Sequence, residues 1–300
     1  MRHQSRLNRL AGNLLLGVAL VVGTASAAQA GKDRFVVDLV NEPSSLDPQM
    51  QWNPDSYYVY RNIFDNLVTR DDKGAIVPQA ATSWKQLSET EIEFQIRSDI
   101  LFHDGSRLTP EDVAYSVQRI TDPKLASPQL GQFDKIRQAV VTGPNSVKLV
   151  TDGPYPALLA QLVKLSIVPK AVVEKIGKDA FNTAPVGSGP YKFAEWRRGV
   201  SVTLQRNDSY WGQKGVFRTA VFRAVADGAT RLADVQTGAA DIARQLDSDQ
   251  SAQLASSRNG KRVYVLTERL AYLRINPNKP PFDNPKLRQA VAYAIDKEGI

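Results

Sequence analysis

Residues 91–120 read EIEFQIRSDILFHDGSRLTPEDVAYSVQRI, and the change of period inside them governs how the chain is read. From Glu91 to Arg97 polar and apolar residues alternate. Ile92, Phe94 and Ile96 therefore share the buried face of a strand, and Glu91 and Glu93 its wet face. Asp104-Gly105 is a turn. Thr109-Pro110-Glu111-Asp112 then starts a helix. Thr109 can cap it, Pro110 suits its first turn, and Asp112 completes a capping box. The acids also face the positive end of the helix dipole. Val113, Val117 and Ile120 recur at helical spacing and predict a buried stripe.

Outward from that stretch the signals are shorter. Phe35 to Val40 is an apolar segment broken by Asp38 and predicts a first strand. Its continuation, Asn41-Glu42-Pro43-Ser44-Ser45-Leu46-Asp47-Pro48, is a loop by composition. Apolar residues at 59, 63, 64 and 67 predict a helix over 57–68. Residues 147–150 predict a strand and 157–163 an apolar helix. Gly187-Ser188-Gly189-Pro190-Tyr191 runs into a strand that would pair with the alternating segment 201–205. Asn284-Pro285 begins a helix whose Leu287, Ala290, Val291, Ala294 and Ile295 share one face. A helix draws most of its stability from burying such a face. The expectation is therefore a fragment, or a chain that stops before its last domain.

The 300 residues include no cysteine and two histidines, with 42% hydrophobic and 23% charged content. That removes disulfide frameworks, thiolate metal sites and cysteine nucleophiles. Nineteen glycines and 17 prolines fit neither a disordered nor a fibrous chain. Arg2, Arg6 and Arg9 form a basic n-region, 10–22 an apolar run, and Ala28-Gln29-Ala30 a small-x-small cleavage pattern. Residues 1–30 thus read as a cleavable signal peptide, the run being shorter than the ~20 residues of a spanning helix. With no cysteine to accept a lipid, the mature chain is expected free in the periplasm. Its Lys and Arg are scattered, with no run longer than Arg197-Arg198, which argues against nucleic-acid binding.

Constellations that could carry catalysis or metal binding are thin. His103 is the only histidine beyond the signal peptide, and adjacency to Asp104 does not make a relay. It reads as a residue capping the Asp104-Gly105 turn. Gly187-Ser188-Gly189 lacks the following helix that a phosphate loop needs and reads as a crossing of the backbone between lobes. No spacing supports a transition-metal site. The aromatics Trp52, Tyr57, Tyr58, Tyr60, Trp196, Tyr210 and Trp211 are mostly core candidates, a few of which could line a cleft for an extended ligand.

Trp84, Glu93-Phe94-Gln95-Ile96-Arg97, Leu101-Phe102-His103-Asp104-Gly105 and Leu108-Thr109-Pro110-Glu111-Asp112-Val113-Ala114-Tyr115-Ser116 together resemble family 5 of the extracellular solute-binding proteins. These are the oligopeptide, dipeptide and nickel-type receptors of ABC importers. Ser45-Leu46-Asp47-Pro48, Gly187-Ser188-Gly189-Pro190-Tyr191 through Arg206-Asn207 and Tyr210-Trp211, and Pro280-Pro281-Phe282 with Leu287 through Asp296 agree in order, from about Phe35 to Ile300. The resemblance implies an α/β, periplasmic-binding-protein-like two-lobe fold of the class with an extra domain. Residues 31–70 and 188–268 would form the first, β-sheet-based lobe and 71–187 the extra domain. Residues 269–300 would open a closing lobe, incomplete in this chain.

The implied function is capture, not catalysis. Two lobes close on a solute, most readily a peptide held by strand-like hydrogen bonds, and the closed form docks on an ABC permease in the inner membrane. Glu42, Pro43 and Ser44 occupy the place of the family's ligand loop and are the candidate ligand-binding residues. No cofactor, protein-bound metal or nucleic-acid partner is implied, and a monomer is expected. Metal chelates, opines and sugars are alternative ligands; a secreted hydrolase or a chaperone-like protein are alternatives of another class. Because of the 287–295 face, residues 31–300 expressed alone are expected to bind a dye specific for apolar surface or to aggregate. A monomer with a sharp thermal transition and no dye binding is the opposite result.

Overall fold

The segment RFVVDL folds as β1 (Arg34–Leu39) in the computed structural model, which describes residues 33–51, 53–258, 260–263, 272–296 and 299. The expected signal peptide, Trp52 and residues 264–268 lie outside the described residues. Val37 and Leu39 point into one apolar cluster and Val36 into a second with Val221 and Ala240. A strand covered on both faces suits parallel pairing.

After β1 come α1 (Pro54–Tyr60), β2 (Val68–Arg70) and β3 (Ile76–Pro78), then β4 (Ala81–Ser88), β5 (Glu91–Ile96) and α2 (Pro110–Thr121). Next are α3 (Leu130–Phe133), β6 (Ile136–Gly143), β7 (Ser146–Thr151), α4 (Leu158–Leu162) and α5 (Lys170–Thr183). The chain continues through β8 (Tyr191–Arg197), β9 (Ser201–Arg206), β10 (Thr219–Ala224), α6 (Gly228–Thr237), β11 (Ile242–Ala243) and α7 (Ser248–Ser256). Two compact units result, Met1–Gly260 and Lys261–Ile300. The second contains α8 (Pro285–Ala294), capped by Asn284, whose side chain accepts from the Lys286 amide; none of its described residues is buried.

Two sheets organise the first unit. One has the order β11-β1-β10-β9-β8, with β1 parallel to both β10 and β11 and the other pairs antiparallel. The crossover β10-α6-β11 straddles β1, the connection parallel strands require. The other sheet, β4-β5-β7-β6, is antiparallel. On β5 the alternation holds: Ile92, Phe94 and Ile96 are buried, while Glu91 pairs with Lys148 and Glu93 accepts from Thr142. On α2, Val113, Val117 and Ile120 join the same core. Fully burying a side chain of this size stabilises by about 1.5–3 kcal/mol. Asp112 Oδ2 accepts the Thr109 amide at 2.9 Å, and Oδ1 accepts the Lys170 amide, so the cap of α2 also holds the start of α5. Gly177 breaks α5 with φ 76°, a conformation an L side chain resists.

The helix expected over 57–68 is shorter and earlier. Asn53 caps α1 at Asp55, and the chain leaves the helix at Arg61. Ile63, Phe64 and Leu67 are buried as predicted. However, the carbonyls of Asn62 and Ile63 receive the amides of Tyr191 and Gly189 at 2.9 and 2.8 Å instead of continuing a helix. Gly187 and Gly189 permit this approach. A Cβ on Gly189 would lie 2.6 Å from the Asn62 carbonyl oxygen, and one on Gly187 would collide with that of Ile63.

The loop after β1 is anchored by burial of charge. Asp47, fully buried, pairs with Arg119 of α2 at 2.6 and 3.1 Å, and Arg119 also donates to Gln49 Oε1. Gln129 donates to the Pro48 and Gln51 carbonyls, and Ser127 to that of Gln49. Arg119→Met is expected to lower unfolding free energy by about 3–5 kcal/mol, because it strands a buried carboxylate. Adding Asp47→Leu to it should recover part of that loss, as read by urea denaturation.

Candidate functional site

The carboxyl ends of the parallel strands β1, β10 and β11 face one way, and the loops that leave them form a shared rim. Ligands of open α/β sheets gather at such ends. Arg231 of α6 ties the loops together from beneath. Its buried guanidinium donates to the carbonyls of Val225 and Ala226 after β10, and to those of Arg244 and Gln245 after β11, at 2.7–2.9 Å. Backbone bonds from Val225 to Leu39 and from Arg244 to Asp38 join both loops to β1. Arg223 steadies the strands by pairing with buried Asp38 at 2.7 and 2.8 Å and with Asp234 at 2.5 Å.

Above this base lies a polar surface. Asp55, in the first turn of α1, accepts the backbone and side-chain N–H groups of Asn41 at 3.0 and 3.1 Å and pairs with Arg244 at 3.2 Å. The Arg244 guanidinium lies 3.6 Å from the centre of the Tyr58 ring. The cation is thus only about one fifth exposed and held by one carboxylate and one aromatic face.

The three candidate ligand residues fall on this rim with different roles. Glu42 is half-buried, and Trp196 Nε1–H of β8 donates to its Oε1 at 2.7 Å. The Arg198 guanidinium lies over the face of that indole, 3.3 Å from the ring centre. Pro43 is buried and turns the loop inward. Ser44 is exposed; its amide donates to Ser56 Oγ of α1 at 3.1 Å. Farther on, Leu46 donates to Asn182 of α5, so the loop is fixed on both sides of the exposed residues. Of the candidate aromatics, Tyr60 is core, Tyr58 and Trp196 belong to the rim, and Tyr210 and Trp211 lie elsewhere, against Asp65. Sequence reading missed Asn41, Asp55, Arg231 and Arg244; their partners are 5 to 189 positions away, and no local pattern marks them.

His103 does not cap its turn. Asp104 does so, its Oδ1 accepting the Ser106 amide and hydroxyl. The imidazole instead bonds Gly187 and Gly189, and the hydroxyl of Ser188 between them donates to Asp65. Among the described residues no group of three His, Asp or Glu side chains is arranged to hold a metal ion, and no helix among them is long and apolar enough to cross a membrane. What the rim offers is polar recognition: acids, a shielded cation, exposed amide and hydroxyl groups, and two aromatic faces.

The glutathione-binding protein GsiB of Shigella boydii is 29% identical over 295 residues, 96% of this chain and 57% of that one. Among solved structures, NikZ from Campylobacter jejuni in complex with Ni(L-His) superposes with a TM-score of 0.77 at 26% identity, covering 90% of this chain and 54% of NikZ. The ABC transporter-associated periplasmic binding protein DppA from Helicobacter pylori, in complex with the peptide STSA, gives 0.69 at 26% identity, over 75% and 49% of the two chains. The chain therefore spans about half the length of these relatives. Residues 75–300 match the middle region of the bacterial extracellular solute-binding proteins, family 5, and the chain belongs to that family.

Proposed function

We propose that the protein is the solute-binding component of an ABC importer, exported to the periplasm through residues 1–30. It captures a peptide-like solute at the rim of the first lobe and presents it to a permease of the inner membrane. The first lobe comprises residues 31–70 and 188–268, the extra domain 71–187, and 269–300 begin the closing lobe. The observation that carries this reading is the rim itself, a loop half-exposed at Glu42 and exposed at Ser44, pinned on both sides at the carboxyl ends of three parallel strands. A fixed loop at strand ends suits a ligand whose own backbone is the recognised part. GsiB and DppA, named with glutathione and a peptide, favour that ligand class. A metal chelate is the second reading, favoured by the likeness to NikZ with its nickel–histidine ligand.

Titration calorimetry of the intact protein with glutathione, a set of di- and tripeptides, and nickel–histidine tests the choice. One-to-one saturable binding of a peptide is expected. Saturation by nickel–histidine alone selects the second reading, and turnover of an ester, peptide or glycoside without saturable binding overturns both. Glu42→Gln should weaken binding of the solute several-fold while changing stability by less than about 1 kcal/mol, since the residue is at the surface and keeps an acceptor for Trp196.

A further inference from the structure

The tripeptide Gly187-Ser188-Gly189, which returns the chain from the β4–β7 sheet side to β8, is gripped from two directions. His103 holds both glycines. Its amide donates to the Gly187 carbonyl at 2.7 Å, its Nδ1 accepts the Gly187 amide at 3.3 Å, and its Nε2 bonds the Gly189 carbonyl at 3.0 Å. Asp65 holds the serine between them through Ser188 Oγ at 2.9 Å. The partners of the imidazole settle its state. A carbonyl can only accept, so Nε2 carries the proton; an amide can only donate, so Nδ1 is bare. His103 is therefore a neutral imidazole with a single tautomer, and a second proton would have to enter at Nδ1, head-on against the Gly187 N–H.

We infer that His103 is a positioning residue that latches the Gly187–Gly189 connection and releases it in acid, loosening the link between the two sheets. Protonation turns the Nδ1 acceptor into a donor facing the Gly187 N–H, and the Gly187 backbone packs so closely on the Ile63 carbonyl that a Cβ there would collide with it. The charged groups facing the imidazole do not rescue it. Lys192 Nζ sits 3.5 Å from the His103 carbonyl oxygen and opposes a second positive charge, while Asp104, which favours it, is exposed and engaged with Ser106. Burial is the main reason that the imidazole pKa falls from 6.5 to about 4, against the pull of the Gly189 carbonyl. Asp65, on the other side, is shifted up by its burial.

The signs of the two linkages differ. A histidine with a depressed pKa contributes stability that is complete above pH 6.5 and lost as pH falls towards 4. The raised carboxylate works the other way, because its native state takes up a proton before its unfolded state does. Comparison with a variant lacking only the imidazole separates them. From pH 7.5 to 4.5 the folding equilibrium constant should fall on the order of fifty-fold more in the wild type than in His103→Gln.

Two measurements on the full chain test the latch, and neither depends on knowing the solute. In the first, the ring resonances of His103, identified by their loss in His103→Gln, are followed by NMR through acid; titration well below 6.5 from the Nε2–H tautomer is expected. A midpoint near 6.5 overturns the proposal. In the second, amide exchange at 187–189, corrected for its intrinsic pH dependence, should accelerate below about pH 5 in the wild type but not in His103→Gln. Equal acceleration in both assigns the release to another group and overturns it. Because the sequence holds only one other histidine, His3, the shifted resonances can also be assigned in the wild type by through-bond correlation to the backbone, and the first measurement decides the matter even if the variant folds poorly.

Discussion

The carboxylate of Asp65 is completely buried and is held by four neutral donors from three passages of the chain. Gln79 Nε2 and Tyr210 OH bond Oδ1 at 2.9 Å, and Ser188 Oγ and Trp211 Nε1 bond Oδ2 at 2.9 and 3.1 Å. Burying a carboxylate is costly unless its lone pairs are occupied, so each donor must be delivered to one place. The end of the α1 turn, the strand β3, the Gly187–Gly189 crossing and the loop after β9 are therefore constrained together. Burial pushes the Asp65 pKa up, and the four donors pull against it. The close approach of residues 62–63 to the crossing, and the glycines it demands, follow from the same meeting point.

Asp47 meets the same problem with the opposite solution. It is as deeply buried but faces a guanidinium, and Arg119 brings both charge and bidentate geometry. The difference follows from what each carboxylate joins. Asp47 fixes one loop to one helix, and a single rigid fork suffices. Asp65 gathers four segments, and a guanidinium there would occupy the lone pairs that neutral side chains reach from separate directions. Arg231 is the converse case, a buried cation whose donors are spread over four carbonyls of two loops. In all three, one group with several hydrogen-bonding sites organises backbone that has no regular structure of its own.

Legibility in the sequence follows the reach of these interactions. The strand at Glu91 and the helix at Pro110 were readable because alternation, cap and apolar stripe are set within a turn or two. The pairing of the strands at 191 and 201 was readable for the same reason, as two alternating segments joined by a tight connection. The helix over 57–68 was misplaced because Ile63, Phe64 and Leu67 keep helical spacing while the carbonyls of Asn62 and Ile63 bond a segment more than 120 residues away. His103 was read as a local cap because its partners, 84 and 86 positions on, leave no trace near it. Glu42 and Ser44 could be placed on a loop by composition, but Asp55 and Arg244 could not be joined to them. Only the fold brings position 244 beside position 55.

That distribution bears on how a rim of this kind selects a solute. Half-buried Glu42 and exposed Ser44 lie between fixed points: Trp196 on one side, Ser56 and Asn182 on the other. Beneath them Arg231 holds the neighbouring loops by main-chain bonds alone, so their geometry does not depend on which side chains those loops display. Ordering a loop on binding consumes part of the interaction energy, and a loop ordered beforehand leaves more of it for affinity. A base fixed through carbonyls and a surface varied through side chains would let one scaffold serve several ligand chemistries, as the glutathione, nickel–histidine and peptide ligands named for its relatives require. In the proposed function the side chains that face the solute on this chain are Glu42, Ser44, Tyr58, Trp196 and Arg244, and Arg231 holds the loops after β10 and β11 beside them.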